Sequence, residues 1–129
     1  MWDIIYIEID RLLDARYDKA EQILIAKSVV KKALLEFYFD WTTRGEYDGY
    51  NIYDEMFRRY ARLFIGVAVE VRDILPERVT NDLLSLVTTM KTLAGEPAHT
   101  ADEESYEKLS RECINDVLKM FESFEKYFE

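Results

Sequence analysis

Residues 89–100 read TMKTLAGEPAHT. Leu83, Leu84, Val87, Met90 and Leu93 recur at helical spacing up to this point, and Gly95 and Pro97 then interrupt it within three residues. A glycine one step past the last periodic residue suits a left-handed C-cap. A proline two residues later has no amide hydrogen with which to continue the helix. Thr100 and Glu103 then stand three apart as a capping box, with Asp102 and Glu104 placed to favour a helix N-terminus. The stretch is therefore a tight break between two helices. It also carries the only histidine, His99.

The last helix follows that break, with Tyr106, Leu109, Cys113, Val117, Phe121, Phe124 and Phe128 in line. Continued unbroken, it would be about 40 Å long at ~1.5 Å per residue. Upstream, Asn81 is placed to cap the helix that ends at Gly95. Before it, residues 52–75 carry the cleanest stripe in the chain: Ile52, Met56, Tyr60, Leu63, Val67, Val71 and Ile74, broadened by Phe57, Phe64, Ala68 and Leu75. Gly66 inside that stripe costs about 1 kcal/mol relative to alanine, which a close helix crossing would explain. Pro76 stops or restarts the helix.

Residues 42–51, TTRGEYDGYN, form a glycine-rich connection. The helix before it spans residues 19–41, with Ile23, Ala26, Val30, Leu34, Phe37 and Trp41 along one line, and Leu24, Val29, Ala33 and Tyr38 widening it. Asp18 and Glu21 form an approximate capping box at its start, and Lys27, Lys31 and Lys32 mark its wet side. Residues 2–16 fit both an alternating strand and a helix. With no other strand to pair with, helix is the consistent choice.

Four glycines and two prolines in 129 residues favour long helices over a many-turned β fold. The expectation is one all-α domain over residues 1–129, an antiparallel bundle of four main helices plus an N-terminal one. Tyr47, Tyr50, Tyr53, Phe128 and Trp2 are more aromatic surface than one small core hides, which points to a homodimer. The N-terminus carries acids where a signal peptide carries bases, and no apolar run is long enough to span a bilayer. A cytoplasmic protein that does not engage membranes is expected. The formal net charge of −9 disfavours non-specific nucleic-acid binding and suits a basic partner protein. The single Cys113 excludes an internal disulfide and a cysteine-based zinc site, and it sits in an apolar stripe. No carboxylate–histidine spacing of a bundle metal site is present, so neither a metal nor another cofactor is expected.

Met90–His99 also has the pattern apolar, cation, x, Leu, small, small, Glu, x, Ala, His. This resembles the HEPN superfamily of small helical domains, in branches whose joint reads roughly L-R-x-L-G-N-x-A-A-H. Lys91 stands where that family has arginine, Gly95 where it has asparagine, and His99 falls on the family histidine. The closing FESFEKYF is similar to the aromatic end of the family's last helix. The resemblance implies a dimeric bundle. It further implies a metal-independent ribonuclease, or a degenerate RNA-associated regulator, of toxin–antitoxin or phage-defence systems, with His99 and Lys91 as site residues.

The chemistry is coherent with those residue types. Cleavage of RNA through its own 2′-hydroxyl needs a base, an acid and positive charge on the phosphorane, and imidazole serves the proton steps near neutrality. Arginine holds two phosphate oxygens at once, and lysine acts as a point charge. Arg58, Arg59 and Arg62 cluster on the polar side of their helix and are candidate phosphate contacts. The same cations equally suit surface ion pairs, and His99 equally suits a plain loop residue. A second class of function is a non-enzymatic acidic module of antitoxin, immunity or inhibitor type. Its interface would be the acid-rich helix after residue 102, facing a basic protein.

Overall fold

The computed structural model describes residues 18–44, 50–95 and 103–129. Within them the chain forms four helices: α1 (Lys19–Arg44), α2 (Tyr50–Val71), α3 (Glu77–Ala94) and α4 (Glu103–Glu122), followed by a 3-10 turn at Phe124–Phe128. No strand occurs among the described residues. The N-terminal helix expected at 2–16 and the capping box at Thr100 lie outside them.

Each helix packs on the one before and the one after it, and α4 closes the ring on α1. The sense is antiparallel throughout. Arg58 near the start of α2 reaches Ala94 at the end of α3. Lys27 near the start of α1 meets Glu125 beyond the end of α4, and Tyr127 meets Asp82 near the start of α3. Short connections between successive helices leave the chain little alternative. This is the all-α bundle that the apolar periodicity predicts.

The core follows the stripes. Met56, Phe57, Tyr60, Leu63, Phe64, Val67, Ala68 and Val71 of α2 are all buried. Phe37 of α1 sits among Phe57, Tyr60 and Phe64, with ring centroids 6.0, 5.2 and 6.1 Å away. Edge-on and tilted aromatic pairs at such distances add to the gain from burial alone. The Tyr60 hydroxyl, inside this cluster, donates to Asp40 Oδ2 at 2.7 Å, so the core accepts a tyrosine at no loss of a hydrogen bond.

At the start of α1, Asp18 Oδ1 accepts the Glu21 amide at 2.8 Å, the cap that the sequence predicts. α1 runs through Arg44 rather than ending at Trp41, with Thr42 Oγ1 bonded back to the Tyr38 carbonyl at 3.0 Å. α2 begins at Tyr50, so the connection is shorter than residues 42–51.

Six expectations are corrected. α3 starts at Glu77 behind Pro76, and Asn81 is an exposed interior residue rather than its cap. Val79 and Thr80 are already buried, so the core-facing stripe begins a full turn before Leu83. Gly95 is not left-handed. It is extended at φ −86° and ψ 166°, and its amide closes the last turn on the Thr92 carbonyl at 3.3 Å. Gly66 is exposed, and a Cβ built there meets nothing within 4 Å, so no close helix crossing explains it. The last helix breaks at Ser123, which leaves α4 about 30 Å long. Leu24, expected to widen the core line of α1, is 67% exposed.

The 3-10 turn is held against α1. Phe124 is fully buried, Lys27 Nζ lies 3.9 Å from the Phe128 ring centroid, and Glu125 pairs with both Lys27 and Lys31. Phe128 therefore finds cover within its own chain.

Candidate cationic cleft between α2 and α3

Arg58 and Arg62 are one helical turn apart on α2, so their side chains leave the same face. Antiparallel packing of α2 on α3 brings the end of α3 beside them. The result is a cleft of about 290 Å³ lined by Arg58, Ala61, Arg62 and Ile65 from α2, Lys91 and Ala94 from α3, and Gly95. Three of the candidate residues, Arg58, Arg62 and Lys91, thus line one hollow. Arg59 is exposed but does not line it.

Among the described residues no carboxylate lines the cleft. Arg62 and Lys91 are exposed and make no ion pair with the described carboxylates, so the expected surface pairing does not account for them. Arg58 Nη2 donates to the Ala94 carbonyl at 3.4 Å, which ties the guanidinium to the free carbonyls at the end of α3. Among the described residues that contact engages one of the five donors of the group. The negative end of the α3 dipole lies here, and Arg58 and Lys91 offset it. The walls between the cations are apolar, formed by Ala61, Ile65 and Ala94. Chemically, the cleft can hold an anion that needs several donors at once and carries an apolar part.

His99 lies outside the described residues. It follows the cleft residue Gly95 by four positions, and four residues of chain extend at most about 14 Å.

A larger hollow of about 600 Å³ lies between α3, α4 and the closing turn. Its charges alternate: Arg78, Lys119 and Lys126 against Asp82, Asp116 and Glu129. Tyr127 donates its hydroxyl to Asp82 with the Arg78 guanidinium 5.7 Å from its ring centroid, and burial followed by the Asp82 contact pushes the phenol well above its ordinary value. Charges that cancel at this range do not draw in a polyanion. No local signal in the sequence marks this hollow, because Asp82 and Tyr127 meet only through tertiary packing.

Cys113 is fully buried, and burial followed by the Asp116 charge pushes its thiol up to about 12. It is a core residue and not a nucleophile. Among the described residues no three His, Cys, Asp or Glu side chains converge on a point where a metal would sit, and no helix is long and apolar enough to cross a membrane. Among the described side chains of α4 the exposed acids Glu107, Glu112, Asp116 and Glu122 are interspersed with the exposed cations Lys108, Arg111 and Lys119.

No protein-family model, curated protein or solved structure matches the chain.

Proposed function

We propose that the Arg58–Arg62–Lys91 cleft binds the phosphodiester backbone of RNA, and that the chain is a HEPN-like helical protein acting as a metal-independent ribonuclease or RNA-associated regulator. One observation carries this reading. In a chain of net charge −9, three cations share a hollow that no described carboxylate lines, and two of them have no ion-pair partner among the described residues. A local basic cleft on an acidic protein steers a polyanion to one place while the remaining surface repels it.

The roles follow from the side chains. Arg62 and the free edge of Arg58 hold phosphate oxygens in the bidentate manner of guanidinium, and Lys91 adds a point charge across the cleft. His99 supplies the proton-transfer group, as the resemblance of Met90–His99 implies. A homodimer about a two-fold axis at the joint would supply a second His99, so that one imidazole removes the 2′-hydroxyl proton and the other protonates the leaving oxygen. The toxin–antitoxin or phage-defence setting belongs to the same resemblance. The alternative, an acidic module that binds a basic protein, would use α4 and would leave His99 and the cleft idle.

The test is cleavage of a mixed RNA pool with chelator present, alongside anisotropy of a labelled single-stranded RNA. Wild type is expected to bind with a salt-dependent affinity. Arg62→Glu and Lys91→Glu are expected to weaken binding and flatten the salt slope by about one phosphate each. His99→Ala is expected to bind but not to cleave. Binding that is indifferent to both charge reversals rejects the cleft. Full cleavage by His99→Ala rejects the histidine.

A further inference from the structure

The hollow of about 600 Å³ between α3, α4 and the closing turn is built from two facing helix surfaces. Arg78 and Asp82 stand one turn apart on α3, and Asp116 and Lys119 stand one turn apart on α4. Each helix therefore presents one cation and one carboxylate to the hollow. Opposite charges at these spacings commonly pair along their own helix. Here none of the four makes an ion pair among the described residues. Tyr127 accounts for the α3 pair: its hydroxyl takes Asp82 Oδ2, and its ring centroid lies 5.7 Å from the Arg78 guanidinium. All four charged residues are exposed, whereas Leu86 and Met120, which also line the hollow, are buried. The rim is charged with both signs and the floor is apolar.

We infer that this hollow binds a small zwitterion, of the chemical class of a free amino acid with an apolar side chain. Asp82, one turn before Leu86, receives the ammonium, and Lys119, beside Met120, receives the carboxylate. The apolar side chain of the ligand covers Leu86 and Met120. Charge selects this class. A lone anion drawn to Lys119 meets Asp116 one turn away, and a lone cation drawn to Asp82 meets Arg78 one turn away. Each attraction is then offset by a repulsion of similar size. A zwitterion takes both attractions at once. It has no net charge, so the −9 of the protein does not repel it. An uncharged polar molecule would displace water from the rim charges without offering a charge-assisted bond in its place. The size also agrees, since small-molecule sites commonly enclose about 300–1,000 Å³.

The hollow is separate from the cationic cleft. Among the described residues none lines both. Arg78 and Lys91 lie near opposite ends of α3, about 20 Å apart along the helix at ~1.5 Å per residue. Binding of a zwitterion therefore does not depend on what the cleft holds, and the two sites are read independently.

The experiment titrates the nitrogen-15-labelled full chain with L-leucine, L-methionine and L-phenylalanine and follows the backbone amide shifts. At least one of the three should give saturable shifts at Asp82, Ser85, Lys119 and Tyr127, with Arg62 and Lys91 unmoved. Glycine keeps both charges without the apolar part and should bind more weakly. Acetate and ethylammonium, alone or together, should not saturate. Lys119→Met and Asp82→Asn alter exposed side chains, and asparagine can still accept from Tyr127. Each should weaken binding about tenfold or more, as expected for loss of one charge-assisted bond. Unchanged amide shifts over α1 and α2 confirm that the variants fold. No saturable shift with any of the three amino acids up to about 10 mM overturns the inference. A response to acetate or ethylammonium equal to theirs also overturns it, since one charge would then suffice. Glycine binding as tightly as the best of the three removes the role of the apolar floor. Binding that survives both substitutions, or that moves Arg62 and Lys91 instead, places the ligand elsewhere and likewise overturns it.

Discussion

Replacing Gly66 by alanine should make this protein more stable. Gly66 lies in the interior of α2, where glycine is unfavourable because the unfolded chain loses more freedom on folding than it would with alanine. The usual reason to keep such a glycine is a close approach of another backbone. Here a Cβ would meet no heavy atom within 4 Å, and no glycine among the described residues has a positive φ. The packing term is therefore close to zero, and what remains is the backbone term of about 0.5–1 kcal/mol. For a chain of this size that is a rise in Tm of about 2–5 °C, read by circular dichroism at 222 nm. Urea unfolding should show a higher midpoint with an unchanged slope. An unchanged or lowered Tm would refute the reasoning. It would mean that the outer face of α2 is covered in solution by another molecule or by residues outside those described. Gly66 is one residue from Ile65 in the wall of the cationic cleft, so RNA anisotropy on the same variant is informative. Unaltered affinity is expected, because the added methyl points into open space.

Phe37→Ala should cost about 3–5 kcal/mol, since the ring is fully buried among three other aromatics. A loss under about 1 kcal/mol in urea unfolding would contradict that packing. Asp18→Ala should lower stability by about 1 kcal/mol through loss of the α1 cap, whereas Asp18→Asn, which caps equally well, should not. Cys113 should resist thiol reagents in the native protein and react only as the chain unfolds; labelling at the rate of free cysteine would show that the thiol is accessible. Its raised thiol pKa also sets a sign for alkaline stability. Below the ordinary value of 9.0 both states hold the proton and the contribution is fully present. As pH rises from 9.0 toward about 12 only the unfolded chain ionises, so stability falls by about 1.4 kcal/mol per pH unit from this group. Cys113→Ala should flatten that part of the stability profile.

Much of the bundle is determined by the sequence alone. Every described residue of the α2 stripe from Met56 to Val71 is buried, because a 3.6-residue period forces residues three and four apart onto one face whatever lies opposite. The Asp18 cap is likewise local, needing only a carboxylate three residues before a free amide. The start of α3 carries no such local mark, because Pro76 sets a helix start without any side-chain cap and the polar run at 80–82 masks the buried Val79.

Tertiary structure decided what periodicity cannot reach. In α1 the apolar residues run round much of the circumference, so the pattern alone does not say which side the bundle takes. Packing against α2 and α4 chose the side of Val30 and Phe37 and left Leu24 and Phe39 outside. The pairing of Arg58 with Arg62 is visible as one helical turn, but their meeting with Lys91 depends on the register in which α3 returns along α2. Spacing along a helix is set by hydrogen bonds four residues apart, and it is written in the chain. Register between helices is set by how side chains from distant segments interlock, and no local pattern carries that information.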